Sequence, residues 1–269
     1  MKRKSVVFLF LSLLLFGFSS AGKIRAQIVS DGRENNIARN TSIKIESLDL
    51  FDKTRNRAVP VALYSPVSET GKFKAQRLKL AILNHGYGMK NTEYSFIAET
   101  LAAHGYLVAS IQHELPTDEP MPTSGKPSVV RRPFWERGVQ NILFVIEELK
   151  KTRSPGIDFK NMLLVGHSNG GDTVMLFAEK YPKPARKIIS LDNRRMFIPR
   201  VERPQILSIR SSDQPADEGV LPTAEDQKKF NIKIVKLEKT IHNDMWDGAT
   251  DEQKREISGI ISSFLEAKL

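Results

Sequence analysis

Short apolar runs alternate with longer amphipathic stretches from residue 43 to the C-terminal region. The runs predict eight β-strands, at residues 43–50, 58–64, 78–83, 106–111, 162–165, 187–191, 205–209 and 232–237. Apolar residues at helical spacing predict helices at residues 92–104, 133–151, 169–180 and 251–267. Because strands and helices alternate along the chain, the pattern predicts an α/β protein with a mostly parallel sheet covered on both faces.

The first two predicted strands are separated by the polar stretch 52–56, which predicts an antiparallel hairpin at the start of the sheet. Residues 112–132 are polar and rich in proline, which is typical of a surface loop. No stretch of linker-like composition divides residues 27–269 into two domains. We therefore expect a single catalytic domain over these residues.

The N-terminal segment 1–26 has the pattern of a signal peptide. Three basic residues (Lys2, Arg3, Lys4) precede an almost wholly apolar stretch at 6–18, and small residues follow, with cleavage predicted after Ala21 or Ala26. The apolar stretch is too short to span a bilayer. The sequence therefore predicts a protein exported to the periplasm or the medium, without stable membrane insertion once the signal is removed.

Charge and composition exclude several classes of function. The net charge is +10, but five basic residues precede Gln27 with no acidic residue among them, so the remainder carries +5. No dense basic run with interleaved aromatic residues predicts nucleic-acid binding. The chain has no Cys, so neither a disulfide nor a lipidated cysteine is available. His113-Glu114 has no second histidine at ligand spacing, so no metal site is predicted.

The most informative stretch is the sequence Gly166-His167-Ser168-Asn169-Gly170. It places a G-x-S-x-G motif between an apolar strand and a helix, which is the context of a nucleophile elbow. Such a turn crowds the positions two residues before and after the serine, and glycine meets that need because it lacks a Cβ. The helix N-terminus also favours a developing negative charge. We therefore predict that Ser168 is a nucleophile.

At this point the chain resembles the α/β-hydrolase superfamily over nearly all of its length after the signal. His85-Gly86-Tyr87-Gly88 follows the third predicted strand, where that superfamily has its oxyanion loop. The resemblance implies an oxyanion hole formed by the backbone N–H groups of Tyr87 and Asn169. It also implies an α/β-hydrolase fold of about eight strands.

More specific features are similar to the platelet-activating-factor acetylhydrolase and dienelactone hydrolase-like group. They are Gly166-His167-Ser168, the stretch Val59-Pro60-Val61-Ala62-Leu63-Tyr64, and Leu191-Asp192 followed by Met196-Phe197. The chain departs from that pattern at Asn193-Arg194-Arg195, which puts two cations beside Asp192.

His242 is predicted to be the general base, because it follows the last strand and precedes the last helix, the position that the base takes in α/β-hydrolases. Two aspartates compete for the acid that orients it. Asp213 follows the strand at 205–209, the commoner position, and is slightly preferred. Asp192 follows the strand at 187–191 and stays as the alternative.

The combination predicts a serine hydrolase that cleaves a carboxylic ester or a related acyl bond through a Ser-His-Asp triad and an acyl-enzyme, with no cofactor and no metal. The segments after Asp192 and Asp213 are too short for a large lid, so an open site is expected. A peptidase or amide hydrolase with the same triad, and a non-catalytic binding protein on the same scaffold, remain alternatives. No sequence feature indicates an oligomeric state.

Overall fold

The computed structural model describes residues 41–68 and 77–267, so the predicted signal segment lies outside the described residues. Eight strands form one sheet in the order β1-β2-β4-β3-β5-β6-β7-β8. Their bounds are β1 Thr41–Asp52, β2 Arg57–Ser68, β3 Leu78–Asn84, β4 Tyr106–Ile111, β5 Ile157–His167, β6 Ala185–Leu191, β7 Gln205–Arg210 and β8 Ile232–Lys236. β1, β2 and β4 pair antiparallel, and every pair from β4 through β3 to β8 is parallel. The predicted hairpin and the mostly parallel sheet are confirmed.

Helices cover both faces of the sheet, because successive side chains of each strand point to opposite sides. In β3, Leu80 and Ile82 pack into one apolar cluster, and Ala81 and Leu83 pack into the other. The helices are α1 Ser95–Ala103, α2 Pro127–Val130, α3 Arg132–Arg153, α4 Asn169–Lys180, α5 Ala224–Lys229 and α6 Asp251–Glu266. α3 and α4 cover the first cluster, and α1 and α6 cover the second.

The carboxyl ends of the parallel strands meet at one edge of the sheet, and the loops there carry the predicted site residues. Ser168 follows β5, Asp192 follows β6 and Asp213 lies just beyond β7. His242 opens a single 3₁₀ turn, His242–Asp244, between β8 and α6. α6 begins with a capping box between Thr250 and Gln253, which fixes the end of the His242 loop.

Two parts of the chain differ from the predictions. The predicted surface loop at 112–132 buries His113 and Met121, and it includes the short helix α2. The helix α5 was not predicted, because its sequence Ala-Glu-Asp-Gln-Lys-Lys has no apolar periodicity and none of its residues is buried. None of the helices in the described part of the chain is long and apolar enough to cross a membrane.

Candidate active site

Ser168 occupies a strained turn between β5 and α4. Its backbone has φ 53° and ψ −115°, a conformation that residues with a side chain rarely adopt outside functional turns. The Ser168 N–H donates to the carbonyl of Leu191 at 2.9 Å, which ties the turn to β6. The structure therefore has the strand–turn–helix geometry that the sequence predicts.

Glycine is required on both sides of the turn by close backbone approach. A Cβ on Gly166 would lie 2.2 Å from the carbonyl oxygen of Gly170. A Cβ on Gly170 would lie 2.3 Å from the carbonyl oxygen of Asn84 and 2.6 Å from that of His85. A Cβ carbon cannot approach a carbonyl oxygen this closely. The absence of a Cβ at the two glycines therefore allows α4 to pack directly on the ends of β3 and β5.

The imidazole of His242 lies between Ser168 and Asp192. Its Nε2 is 2.9 Å from Ser168 Oγ, and its Nδ1 is 2.6 Å from Asp192 Oδ2. With a proton on Nδ1 donated to the carboxylate, Nε2 is left to accept the Ser168 hydroxyl proton. Ser, His and Asp thus form the hydrogen-bonded line that a general base and its orienting acid require.

Asp192 is completely buried and has partners for its charge. Besides the imidazole, its carboxylate accepts from the hydroxyl of Ser211 at 2.8 Å and from the Ser211 N–H at 3.2 Å. Arg210 forms an ion pair with it at 2.8 Å, without good hydrogen-bond geometry. Burial raises the pKa of Asp192, but the bond from His242, the charge of Arg210 and the bonds from Ser211 outweigh it, so the pKa lies below its usual value. The group is therefore held as a carboxylate.

The structure places Asp192, the alternative acid, against the imidazole of His242, and not Asp213, the preferred one. Asp213 is exposed, and its Oδ1 accepts from the backbone N–H of His242 at 2.7 Å instead of from the imidazole. The physical reason lies in the turn after β6, where Asp192 has φ 55° and its buried carboxylate meets the imidazole at Nδ1. Asp213 instead fixes the backbone of the histidine loop.

The loop after β3 brings Tyr87 beside Ser168, as the resemblance implies. Tyr87 and Asn169 both line the cavity that contains Ser168. Among the described residues, the backbone N–H of neither has a hydrogen-bond acceptor. Two such donors next to a nucleophile suit an oxyanion, although their role stays a prediction.

A buried chain of hydrogen bonds, which sequence reasoning missed, joins three parts of the site. The Gly86 N–H donates to Tyr94 Oη at 3.0 Å, and Tyr94 Oη lies 2.8 Å from His167 Nδ1. His167 Nε2 lies 3.1 Å from the carbonyl oxygen of His242. Burial, with the nearby charge of His242, lowers the pKa of His167 to about 3, so its ring is neutral. The neutral ring connects Tyr94 to the backbone of His242. The partners are 73 and 75 residues apart, so no local sequence signal reveals them.

The side chain of Asn169 is held by a second buried group. Its Oδ1 accepts from the indole N–H of Trp135 at 2.7 Å, and its Nδ2 donates to Glu114 Oε1 at 3.3 Å. Burial raises the pKa of Glu114 to about 7, partly offset by the charge of Arg137. These contacts immobilise the residue whose backbone N–H is the second predicted oxyanion donor.

The cavity above Ser168 has a volume of about 300 Å³. All of the predicted site residues except Asp213 line it. It is also lined by residues that the sequence did not single out as catalytic, namely Met121, Thr123, Arg131, Asp172, Arg194, Arg195, Gln214 and Asn243. Over residues 41–68 and 77–267, no group of three or more His, Asp or Glu side chains is arranged to hold a metal.

The fold and the elbow define the class. An eight-stranded, mostly parallel sheet with helices on both faces and a serine turn after the fifth strand is the α/β-hydrolase fold.

Comparisons with known proteins agree with that class. The sequence profile of the family described as platelet-activating factor acetylhydrolase, isoform II, matches residues 48–118. This match includes the loop at Tyr87 but not Ser168, Asp192 or His242. A comparison with curated proteins finds no match to this chain.

Solved structures resemble the chain over most of its length. A ferulic acid esterase from Streptomyces cinnamoneus has a TM-score of 0.57 at 16% identity, with 83% of this chain and 88% of that chain covered. A dienelactone hydrolase-like promiscuous phosphotriesterase, P91, from metagenomic libraries has 0.59 at 12%, covering 83% and 98%. A putative dienelactone hydrolase from Klebsiella pneumoniae subsp. pneumoniae has 0.58 at 12%, covering 84% and 100%. At these identities the likeness establishes the fold.

Proposed function

We propose that the protein is a serine esterase in which Ser168 is the nucleophile, His242 the general base and Asp192 the orienting acid. The observation that carries the proposal is the continuous line of hydrogen bonds from Ser168 Oγ through His242 to Asp192, at 2.9 Å and 2.6 Å, at the floor of an open cavity. The esterases and hydrolases among the similar structures support the same activity.

The first half of the reaction forms an acyl-enzyme. Ser168 Oγ attacks the carbonyl carbon of the ester while its proton moves to His242 Nε2. Negative charge then collects on the former carbonyl oxygen, where the N–H groups of Tyr87 and Asn169 would stabilise it by about 3 kcal/mol each. The imidazolium gives its proton to the departing alcohol oxygen, and the acyl group stays on Ser168.

The second half returns the enzyme to its starting state. A water molecule loses a proton to His242 Nε2 and attacks the acyl carbon through the same oxyanion arrangement. When the intermediate collapses, the proton on His242 returns to Ser168 Oγ and the carboxylic acid leaves. Throughout, the carboxylate of Asp192 stabilises the charged imidazole and keeps Nδ1 protonated.

The size of the cavity favours small substrates. A volume of about 300 Å³ lies at the lower end of the range for small-molecule sites. An acyl chain of two to four carbons fits such a space better than a long fatty chain. The ester of a short acid is therefore the proposed substrate class.

The experiment is hydrolysis of p-nitrophenyl acetate, butyrate and octanoate by the purified protein and by Ser168→Ala. The matched control is Ser263→Ala, because Ser263 is an exposed serine on α6 that lines no part of the cavity. We expect turnover of the short esters by the wild type and the control, and loss of at least about 1,000-fold in Ser168→Ala. Equal activity in Ser168→Ala would contradict the proposal, and turnover of amides alone would replace the ester assignment.

Export completes the proposal, because the basic start and apolar stretch at 6–18 have the order of a signal peptide. N-terminal sequencing of protein recovered outside the cytoplasm should begin at residue 22 or 27. An intact N-terminus on protein found only in the cytosol would contradict export.

A further inference from the structure

The cavity beside Ser168 is strongly basic for a site that would bind a neutral ester. Three arginines line it, Arg131, Arg194 and Arg195. They are close enough to one another that Arg195 and Arg131 both lower the pKa of Arg194, after the larger effect of its burial. Bringing three guanidinium groups together costs free energy unless something of opposite charge joins them.

The acidic groups in the same cavity are already engaged. Asp192 is bound to His242, Ser211 and Arg210. Asp172 is buried and accepts from the backbone N–H groups of Arg195 and Met196 at 2.9 Å and 2.8 Å. Both carboxylates offset part of the charge of Arg194, but neither forms a hydrogen bond or an ion pair with the guanidinium group of Arg131 or Arg194.

Only one of the three arginines has an anionic partner within the described part of the chain. Arg195 forms an ion pair with Asp217. The guanidinium groups of Arg131 and Arg194 make neither a hydrogen bond nor an ion pair to any described residue, and Nε of Arg131 is buried without a partner. Two half-buried cations with unused donors thus line the same cavity as the nucleophile.

The backbone that carries Arg194 is fixed in place. Asp172 lies one helical turn after Ser168, its N–H donates to the Ser168 carbonyl at 2.9 Å, and its carboxylate holds the two residues that follow Arg194. The Arg194 carbonyl accepts from the Asp217 N–H at 2.9 Å. Because the turn is attached to the nucleophile helix, the backbone from which the Arg194 side chain extends is held at a constant place relative to the reacting serine.

We infer that the natural substrate is a short ester that also carries a carboxylate, and that Arg131 and Arg194 bind this carboxylate while Ser168 attacks the ester carbonyl. The inference rests on the proposed function and names its substrate class. A guanidinium is suited to the role because its planar N–H groups match the two oxygens of a carboxylate. The carboxylate is unchanged by the reaction, and water hydrolyses only the ester bond.

The test compares esters that differ only in charge. On the acyl side, mono(4-nitrophenyl) glutarate is compared with 4-nitrophenyl pentanoate, and on the alcohol side 4-acetoxybenzoate is compared with its methyl ester. For the wild type we expect kcat/KM to favour the charged member of at least one pair by roughly 10- to 100-fold. The side that shows the preference identifies which part of the substrate carries the carboxylate.

Variants assign the preference to residues. Arg194→Gln and Arg131→Gln should each lower kcat/KM for the charged ester at least about tenfold more than for its neutral partner. The matched control is Arg132→Gln, which removes one charge at the next position, outside the cavity and paired with Glu136. It should leave the ratio of charged to neutral turnover unchanged. Arg194→Lys keeps the charge but lacks the planar donors. Its ratio of charged to neutral turnover should lie between those of the wild type and Arg194→Gln.

Salt gives a test that needs no variant. Raising the salt from about 0.02 M to about 0.5 M should reduce the preference for the charged ester, because screening weakens a partly exposed ion pair. The carboxylate subsite would be overturned if the wild type hydrolysed neutral esters as well as charged ones. It would also be overturned if the arginine variants lowered kcat/KM equally for both esters. No turnover of any ester would instead contradict the proposed function, so the two failures are distinguishable.

Discussion

Replacing Asp192 by Asn tests the arrangement of the site with a minimal change of shape. The carboxylate of Asp192 accepts from His242 Nδ1 at 2.6 Å and from Ser211 Oγ at 2.8 Å, and it faces Arg210. An amide that turns its NH₂ toward the ring forces Nδ1 to accept, and the ring proton then sits on Nε2. In that tautomer His242 cannot take the proton of Ser168.

The expected loss of activity is large. Holding the imidazole in the wrong tautomer lowers kcat by about 1,000- to 10,000-fold in a serine triad, which corresponds to about 4 to 5.5 kcal/mol. Stability should fall as well, because removing one partner of a buried ion pair leaves Arg210 uncompensated and costs about 3 kcal/mol. The assay must therefore measure kcat at a temperature where circular dichroism shows the variant to be folded.

Asp213→Asn is the matched control for Asp192→Asn. Asp213 accepts from the backbone N–H of His242 and not from its imidazole, and the amide oxygen of Asn can accept the same bond. We therefore expect less than about a tenfold loss of kcat. A loss of 1,000-fold in Asp213→Asn together with an active, folded Asp192→Asn would refute the assignment of the acid.

Three further predictions concern the frame around the site. Tyr94→Phe removes the hydroxyl that joins the Gly86 N–H to His167. It should lower kcat about tenfold and the free energy of unfolding by about 1 to 2 kcal/mol. Unchanged kinetics would exclude a role of Tyr94 in positioning the site. Burial lowers the pKa of His85 to about 4 and that of His167 to about 3, so NMR from about pH 8 to pH 5 should show neither ring titrating, and a midpoint above pH 6 for either would be inconsistent with its burial. Since an unfolded histidine binds its proton below about pH 6.5, each of these two rings should also cost about 2 kcal/mol of stability at pH 5. In urea unfolding, Gly170→Ala should lower the free energy of unfolding by at least about 3 kcal/mol, because its Cβ would lie 2.3 Å from a carbonyl oxygen. Gly259→Ala, on an open helix surface, is the control and should be neutral or stabilising. A small loss of stability in Gly170→Ala would contradict the close approach.

The sequence predicts well those features that are set by local pattern. The strand 106–111 and the helix 169–180 have the predicted bounds, because a continuous apolar run and the glycine spacing of the elbow are local signals that span only a few residues. β5 begins five residues before its predicted start, since Asp158, Lys160 and Asn161 interrupt the apolar run while the backbone still pairs with β3. Polar residues at the end of a strand hide its true length from pattern analysis.

Which aspartate contacts the imidazole of His242 could not be predicted, because it depends on contacts between distant parts of the chain. Asp192 and Asp213 follow neighbouring strands, and either position suits a triad. The adjacent arginines counted against Asp192 in the sequence. In the structure its cation is Arg210, while Arg195 pairs with Asp217 and Arg194 lines the cavity. Which cation meets which carboxylate is a property of the folded chain.

The central claim is that Ser168 forms a covalent bond during the reaction. The most direct measurement is treatment of the folded protein with a fluorophosphonate ester, followed by intact mass and peptide mapping. The account predicts one phosphonyl group per chain, attached to Ser168 and accompanied by complete loss of ester hydrolysis, with no adduct on Ser168→Ala. An unlabelled but folded and active protein, or an adduct on another serine that tracks the loss of activity, would contradict it.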